Sequence, residues 1–287
     1  MDKVSIVVIN YNDKLRVKRA IDSALNQSWK NTEVVVVDDG SDSETRNIYS
    51  EYKNINLVQL ERKDKEARTP SGARNAGIKA SSGEYICFLD SDNYFEPGFV
   101  EELIKLDVEV GFCNWEIVGK ENYKVNIERV WNFGLISQQE NMGILQNYLS
   151  HTHLDHQCLL IKKEYLNTVG HYDERLPRSQ DCDLIVRLIL GGGNWAFNPK
   201  KLFTFEKHED DQMKSVASIH GKALWSLKNN VNINWLFPTV QQSPYYLMSL
   251  IKAIDDFKSW KEYDKSDFKT MIKDHGKLLK GEMIEQV

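Results

Sequence analysis

The sequence predicts an α/β fold, a mixed but mainly parallel sheet flanked by helices, with a C-terminal helical extension. Over the first 115 residues, short apolar runs alternate with helical stretches, the pattern of successive βαβ units. Three of those runs end in polar, mostly acidic residues, and a parallel sheet gathers the carboxyl ends of its strands on one edge, where ligands bind. At 287 residues the chain suffices for one large domain and a smaller appendage.

The elements follow in order. VSIVVI (4–9) reads as a strand ending in Asn10-Tyr11. Residues 14–27 read as a helix, with Leu15, Ala20, Ile21, Ala24 and Leu25 on the face that should pack on the sheet. EVVVVD (33–38) is a buried strand, SETRNIYSEY (43–52) a helix and NLVQL (56–60) a further strand. SGARNAGIKAS (71–81) opens a helix just after Pro70, EYICFL (84–89) is a strand, and EPGFVEEL starts the next helix. From about residue 109, the strands VEVGFCNWEIV and QCLLIKK and helices near 139–149 and 181–190 continue the same domain as an α+β elaboration. Gly191, Gly192 and Gly193 read as a helix stop. The expected division is a main domain over 1–230, with halves 1–115 and 116–230, and a lysine-rich helical extension over 231–287.

Composition excludes several classes. The net charge is −5, the pI is about 5.9 and the basic residues are dispersed among acids, which argues against a nucleic-acid partner. Cys87, Cys113, Cys158 and Cys182 are widely spaced and read as buried free thiols of a reducing compartment. The first apolar run is too short for a signal core, and no segment reaches the ~18 apolar residues of a spanning helix, so the expectation is a cytoplasmic protein. The lysines of the tail offer a surface for the inner face of a membrane or for self-association, although interspersed acids favour a solvated face.

Four segments carry candidate chemistry. Asp38-Asp39-Gly40-Ser41 follows four valines, so a buried strand delivers two carboxylates to a tight turn; turn formation and capping by Ser41 or Asp42 is the plain alternative. Asp90-Ser91-Asp92 places two acids one residue apart at a strand end, a set that suits Mg²⁺ or Mn²⁺ completed by substrate phosphates. Arg74, in the first turn of its helix, fits either an ion pair with these aspartates or a phosphate. In QDCDLIVRL, Asp181 and Asp183 stand at the start of a helix, where acids favour the positive end of the dipole. His208 is a lone histidine, by itself a surface or satisfied residue, and His151, His153 and His156 lack the Cys or Glu that completes a zinc pattern. No GxxxxGK[ST] occurs and no GxGxxG follows the first strand, which excludes P-loop and dinucleotide-binding readings.

In order and spacing, SIVVINYND, VVVDDGSxD, GARNAG and GEYICFLDSDN resemble the donor-binding half of the family 2 glycosyltransferases of the GT-A fold. A looser likeness runs on through VGHYDERLPRSQDCDLIVRL to TFEKHEDD. The resemblance implies an inverting, non-processive transferase that takes a sugar from a nucleoside diphosphate sugar, UDP before others, to a hydroxyl of a glycan, polyol-phosphate or protein acceptor. It implies that Ile9, Asn10 and Tyr11 border the base, that Asp39 accepts from a base NH, and that Arg74 helps hold the donor site. By the same resemblance Asp90 faces the ribose or metal and Ser91 the donor, Asp92 ligates Mn²⁺ or Mg²⁺ with His208 as a second candidate ligand, Asp181 is the base with Asp183 as its competitor, and His151, His153 and His156 are acceptor-side or structural residues. Gln180 stands where the family usually has Glu, the one hint of a related module that binds nucleotide-sugar or glycan without turnover.

Overall fold

The computed structural model describes residues 2–61, 69–119, 154–176 and 180–206. His151, His153, His208, the helix expected near 139–149 and the tail from 231 lie outside the described residues. The described chain builds one eight-stranded sheet from β1 (Val4–Asn10), β2 (Thr32–Asp38), β3 (Asn56–Gln59), β4 (Tyr85–Asp90), β5 (Tyr94–Phe95), β6 (Val110–Val118), β7 (Leu159–Lys162) and β8 (Trp195–Glu206), in the order β3-β2-β1-β4-β7-β6-β8-β5. Strands β1 to β4 are mutually parallel, β7 runs antiparallel between β4 and β6, and β8 runs parallel to β6. The mixed, mainly parallel sheet expected from the sequence is therefore the one found, and β6, β7 and β8 extend it without a break.

The helices are α1 (Val17–Leu25), α2 (Ser43–Tyr49), α3 (Pro70–Ala80), α4 (Phe99–Ile104), α5 (Lys163–Val169) and α6 (Gln180–Leu190). Val34 to Val37 in β2 and Ile86 to Leu89 in β4 are buried, which explains why these strands read as continuous apolar runs. In α3, Gly77 lets the helix close onto the sheet: a Cβ there would lie 2.3 Å from Cγ1 of Val7. The three glycines after α6 end that helix as expected, with Gly192 at φ 78°. All four cysteines are buried.

Two local expectations need correction. Leu15 is 84% exposed and lies ahead of the helix, because Asp13 accepts from the Arg16 amide at 3.2 Å and pairs with its guanidinium, so the helix starts only at Val17, which takes the buried place. QCLLIKK is not one strand: His156–Cys158 form a 3₁₀ turn capped by Asp155, β7 occupies Leu159–Lys162, and Lys163 already begins α5.

Among the described residues, no helix is long and apolar enough to cross a membrane.

Candidate functional site

Register places the polar strand ends side by side. Asn10 pairs with Asp38 across β1 and β2, and Ile9 pairs with Asp90 across β1 and β4. The chain leaving each strand stays tied to its neighbour, with the Asp39 amide donating to Asn10 O at 2.8 Å and the Ser91 amide donating to Ile9 O at 3.1 Å. Asp39, Ser91 and Asp92 thus meet at the carboxyl edge of the central strands, the crevice where open α/β sheets bind ligands. The ring of Tyr11, just beyond β1, is 49% exposed at that edge.

The two aspartates of the first motif have separate tasks. Asp38 is fully buried and supports the turn: Arg46 Nε donates to it at 2.9 Å, the Ser41 amide at 3.2 Å and Tyr49 Oη at 3.3 Å. Tyr49 in turn accepts from Asn10 Nδ2 at 2.7 Å, so the side chain of Asn10 is spent on the fold, leaving the edge to Ile9, Tyr11 and Asp39. Burial pushes the Tyr49 phenol above its ordinary value, and it stays a neutral donor. Asp42, not Ser41, caps α2, accepting from the Thr45 amide at 2.8 Å.

At the second motif Arg74 is 4% exposed, and its Nη2 donates to both carboxylate oxygens of Asp90, at 2.8 and 3.1 Å. Burial opposes the guanidinium charge, but Asp90 beside it prevails and raises the Arg74 pKa. Of the two roles open to Arg74, the structure shows the ion pair. Gln157 completes the frame: its Oε1 accepts from the Asp90 amide at 2.8 Å and from Asn93 Nδ2 at 3.1 Å, while its Nε2 donates to Asp90 at 3.3 Å. Asp90 keeps 29% of its side chain exposed toward the edge.

The second half reaches this site through a mimic of strand pairing. Asn75, one residue after Arg74, donates to Tyr172 O at 2.9 Å and accepts from the Tyr172 amide at 3.0 Å. That bond docks the chain leading into α6 against α3. Asp181, in the first turn of α6, comes near enough for its charge, like that of Asp90, to act on Arg74, Asp155, His156 and Tyr172. Asp183 serves the fold. It is fully buried, and Arg187, paired with it at 2.8 Å, donates to the carbonyls of Val169, Gly170 and His171. Gln180 is buried too and donates to Leu176 O at 3.1 Å, a bond an ionised Glu could not make, so its presence has a structural cause.

Gln157, Asp155 and Tyr172 carried no signal of a role here in the sequence. Gln157 lies between Asp155-His156 and the apolar run that starts at Cys158, and nothing local marks it as the partner of Asp90, 67 residues away. Asp155, His156 and Tyr172 form a polar layer beneath Asp90. Burial, then the Arg74 charge, pushes the His156 ring below the ordinary histidine value, while burial raises the Asp155 carboxyl. Among the described residues neither ring nitrogen of His156, nor Tyr172 Oη, nor Arg74 Nε has a hydrogen-bond partner.

The donor set at the acidic turn is oxygen only. Among the described residues no three His, Cys, Asp or Glu side chains converge as a cage, and Asp90 is already committed to Arg74. One or two carboxylates, with the remaining positions left to water and phosphate, is the manner in which Mg²⁺ and related hard cations are held. The residues present fit such an ion.

The model of the family described as "Glycosyl transferase family 2" matches residues 5–170, which include both acidic motifs and the Arg74 helix. The chain belongs to glycosyl transferase family 2. An uncharacterised glycosyltransferase of Rickettsia bellii is 31% identical over 237 residues, covering 78% of this chain and 33% of that protein. The chain spans between a third and somewhat over half of the length of such curated relatives. Among solved structures, Staphylococcus aureus TarS 1–349 in complex with UDP-GlcNAc superposes with a TM-score of 0.66 at 16% identity, covering 99% of this chain and 93% of that one. The mannosyltransferase PcManGT from Pyrobaculum calidifontis, in complex with GDP-Man and Mn²⁺, gives a TM-score of 0.57 at 16% identity, covering 96% and 80%. At such identities the likeness establishes a shared fold, and this family 2 chain has the GT-A type architecture expected from its sequence.

Proposed function

We propose that the chain transfers a sugar from a nucleoside diphosphate sugar, with UDP as the favoured nucleotide, to an acceptor hydroxyl, with inversion and without processive elongation. The observation that carries this reading is the meeting of Asp39, Asp90 and Asp92 on one sheet edge, with Asp181 brought toward the same edge by the docking of α6. In this reading residues 1–115 bind the donor, residues 116–230 the acceptor, and the base ring lies on Tyr11 with its NH donated to Asp39. The acceptor is a hydroxyl of a glycan, polyol-phosphate or protein.

Asp92 would hold Mn²⁺ or Mg²⁺, which when bound neutralises charge on the departing diphosphate. His208 is a second candidate ligand. Arg74 and Gln157 keep the Asp90 carboxylate oriented toward ribose or metal. Asp181, only partly buried, takes the acceptor proton at its carboxylate as the hydroxyl attacks, a role that the fully buried, Arg187-paired Asp183 suits less.

Incubation with a panel of nucleoside diphosphate sugars, with and without Mn²⁺, tests the reading through slow release of nucleoside diphosphate. Metal-dependent release from a UDP-sugar, abolished by Asp92→Asn, is expected. Absence of both release and calorimetric binding for every donor would overturn it.

A further inference from the structure

Arg19 lies on α1, and its guanidinium reaches the acidic turn. Its Nη2 donates to the backbone carbonyl of Asp92 at 3.1 Å, and its Cζ lies 4.6 Å from the centre of the Tyr94 ring, two residues further on. The same Nη2 pairs with the carboxylate of Glu206 at the end of β8. Glu206 then returns to the turn through its own amide, which donates to Asn93 Oδ1 at 3.0 Å. The pairing of Tyr94 with Thr204 and of Phe95 with Phe203, extended by two residues, sets Glu206 opposite Asp92. Three elements remote in sequence therefore converge on the residue that presents the cation-binding carboxylate.

We infer that Arg19 is a positioning residue for the cation site, clasping the turn of Asp92 to the end of β8 through Glu206. This rests on the reading of Asp92 as the metal ligand. Two features favour a positioning role over surface pairing. First, the Arg19 bond to the turn is made to the backbone carbonyl of Asp92, the part of the residue that sets the course of the turn. Second, a lone guanidinium beside a divalent ion would repel it, and Glu206 cancels that charge while keeping the bond geometry. Within the turn itself, the Asn93 amide bonded to Asp90 O at 3.1 Å is the internal tie; Arg19 supplies one from outside. The Arg19 side chain is 42% exposed, so its replacement does not open the core.

The test uses the full chain with Mn²⁺ and UDP as probes. Free Mn²⁺ is followed by electron paramagnetic resonance during titration of wild-type, Arg19→Met and Arg19→Lys proteins at saturating UDP, and amide exchange of residues 90–95 is measured without ligands. Loss of a hydrogen bond from a charged donor predicts Mn²⁺ binding about three- to tenfold weaker in Arg19→Met, with partial recovery in Arg19→Lys. Faster exchange across 90–95 in Arg19→Met is expected in the same preparations. Unchanged Mn²⁺ affinity and unchanged exchange in Arg19→Met, with wild-type binding intact, would overturn the inference alone. Wild-type protein that binds no Mn²⁺ in the presence of UDP would overturn the reading of Asp92 and the inference with it.

Discussion

The Arg74–Asp90 pair makes an unequal prediction for its two halves. Arg74 has 5% of its side chain exposed and Asp90 has 29%, so the two groups differ in how well water can replace a lost partner. Asp90→Asn leaves a guanidinium buried with its nearest counter-charge gone, and one-sided breakage of a buried pair costs about 3–5 kcal/mol. The charge of Asp181 still acts on Arg74, which places the expected cost near the lower end, about 3 kcal/mol. Arg74→Met leaves a carboxylate that keeps Gln157 at 3.3 Å and can take up water, so about 1–2 kcal/mol is expected. The double substitution removes both charges and should cost about 2 kcal/mol less than the sum of the single ones, as for residues in direct contact. Urea unfolding followed by tryptophan fluorescence measures all four proteins, and the Asp90→Asn loss corresponds to a fall in Tm of roughly 6–12 °C for a domain of this size. Additive costs, or a costlier Arg74→Met than Asp90→Asn, would refute the argument that Arg74 is a buried strut for Asp90.

Two further predictions follow from burial and charge. Asp183→Asn should lower stability by about 3 kcal/mol by leaving Arg187 without its buried partner, while Asp181→Asn should leave Tm nearly unchanged and lower kcat by about 10²–10⁴-fold; Tm and kcat measured on both variants check the assignment. The buried His156 ring is held below its ordinary value, so the unfolded chain takes up the proton first: its contribution to stability is complete above pH about 6.5 and is lost as pH falls through the lower folded value. A second loss should come from Glu33, whose carboxyl burial pushes up but hydrogen bonds from Lys3, Ser5 and Ser82 hold at about 2, so that its stabilisation fades between pH about 4.5 and 2. Tm against pH for wild-type, His156→Phe and Glu33→Gln proteins should lose the upper and the lower step respectively.

Much of the fold was legible because the forces that make it are local or periodic. Four consecutive valines, an amphipathic helix and a strand closing on two aspartates declare βαβ units, and parallel strands must put their carboxyl ends on one edge. Asp39, Asp90 and Asp92 could therefore be placed together from the sequence. The start of α1 was misread because a short Asp13–Arg16 bond competes with periodicity at a helix end, where pattern is weakest. The interior β7 could not be assigned a direction, since an apolar run reads the same parallel or antiparallel.

What the sequence by itself determined was the kind of chemistry at each position: carboxylates at strand ends, an arginine on a helix opening, acids starting a late helix. Tertiary structure decided which partner each of them takes. It buried Asp38 completely against Arg46, buried Asp183 on Arg187, and, of the two roles open to Arg74, joined it to Asp90. The physical reason is that adjacent acids are equivalent until desolvation and the available donors separate them, and those donors, Arg46, Tyr49, Arg187 and Gln157, come from elements whose positions only packing sets.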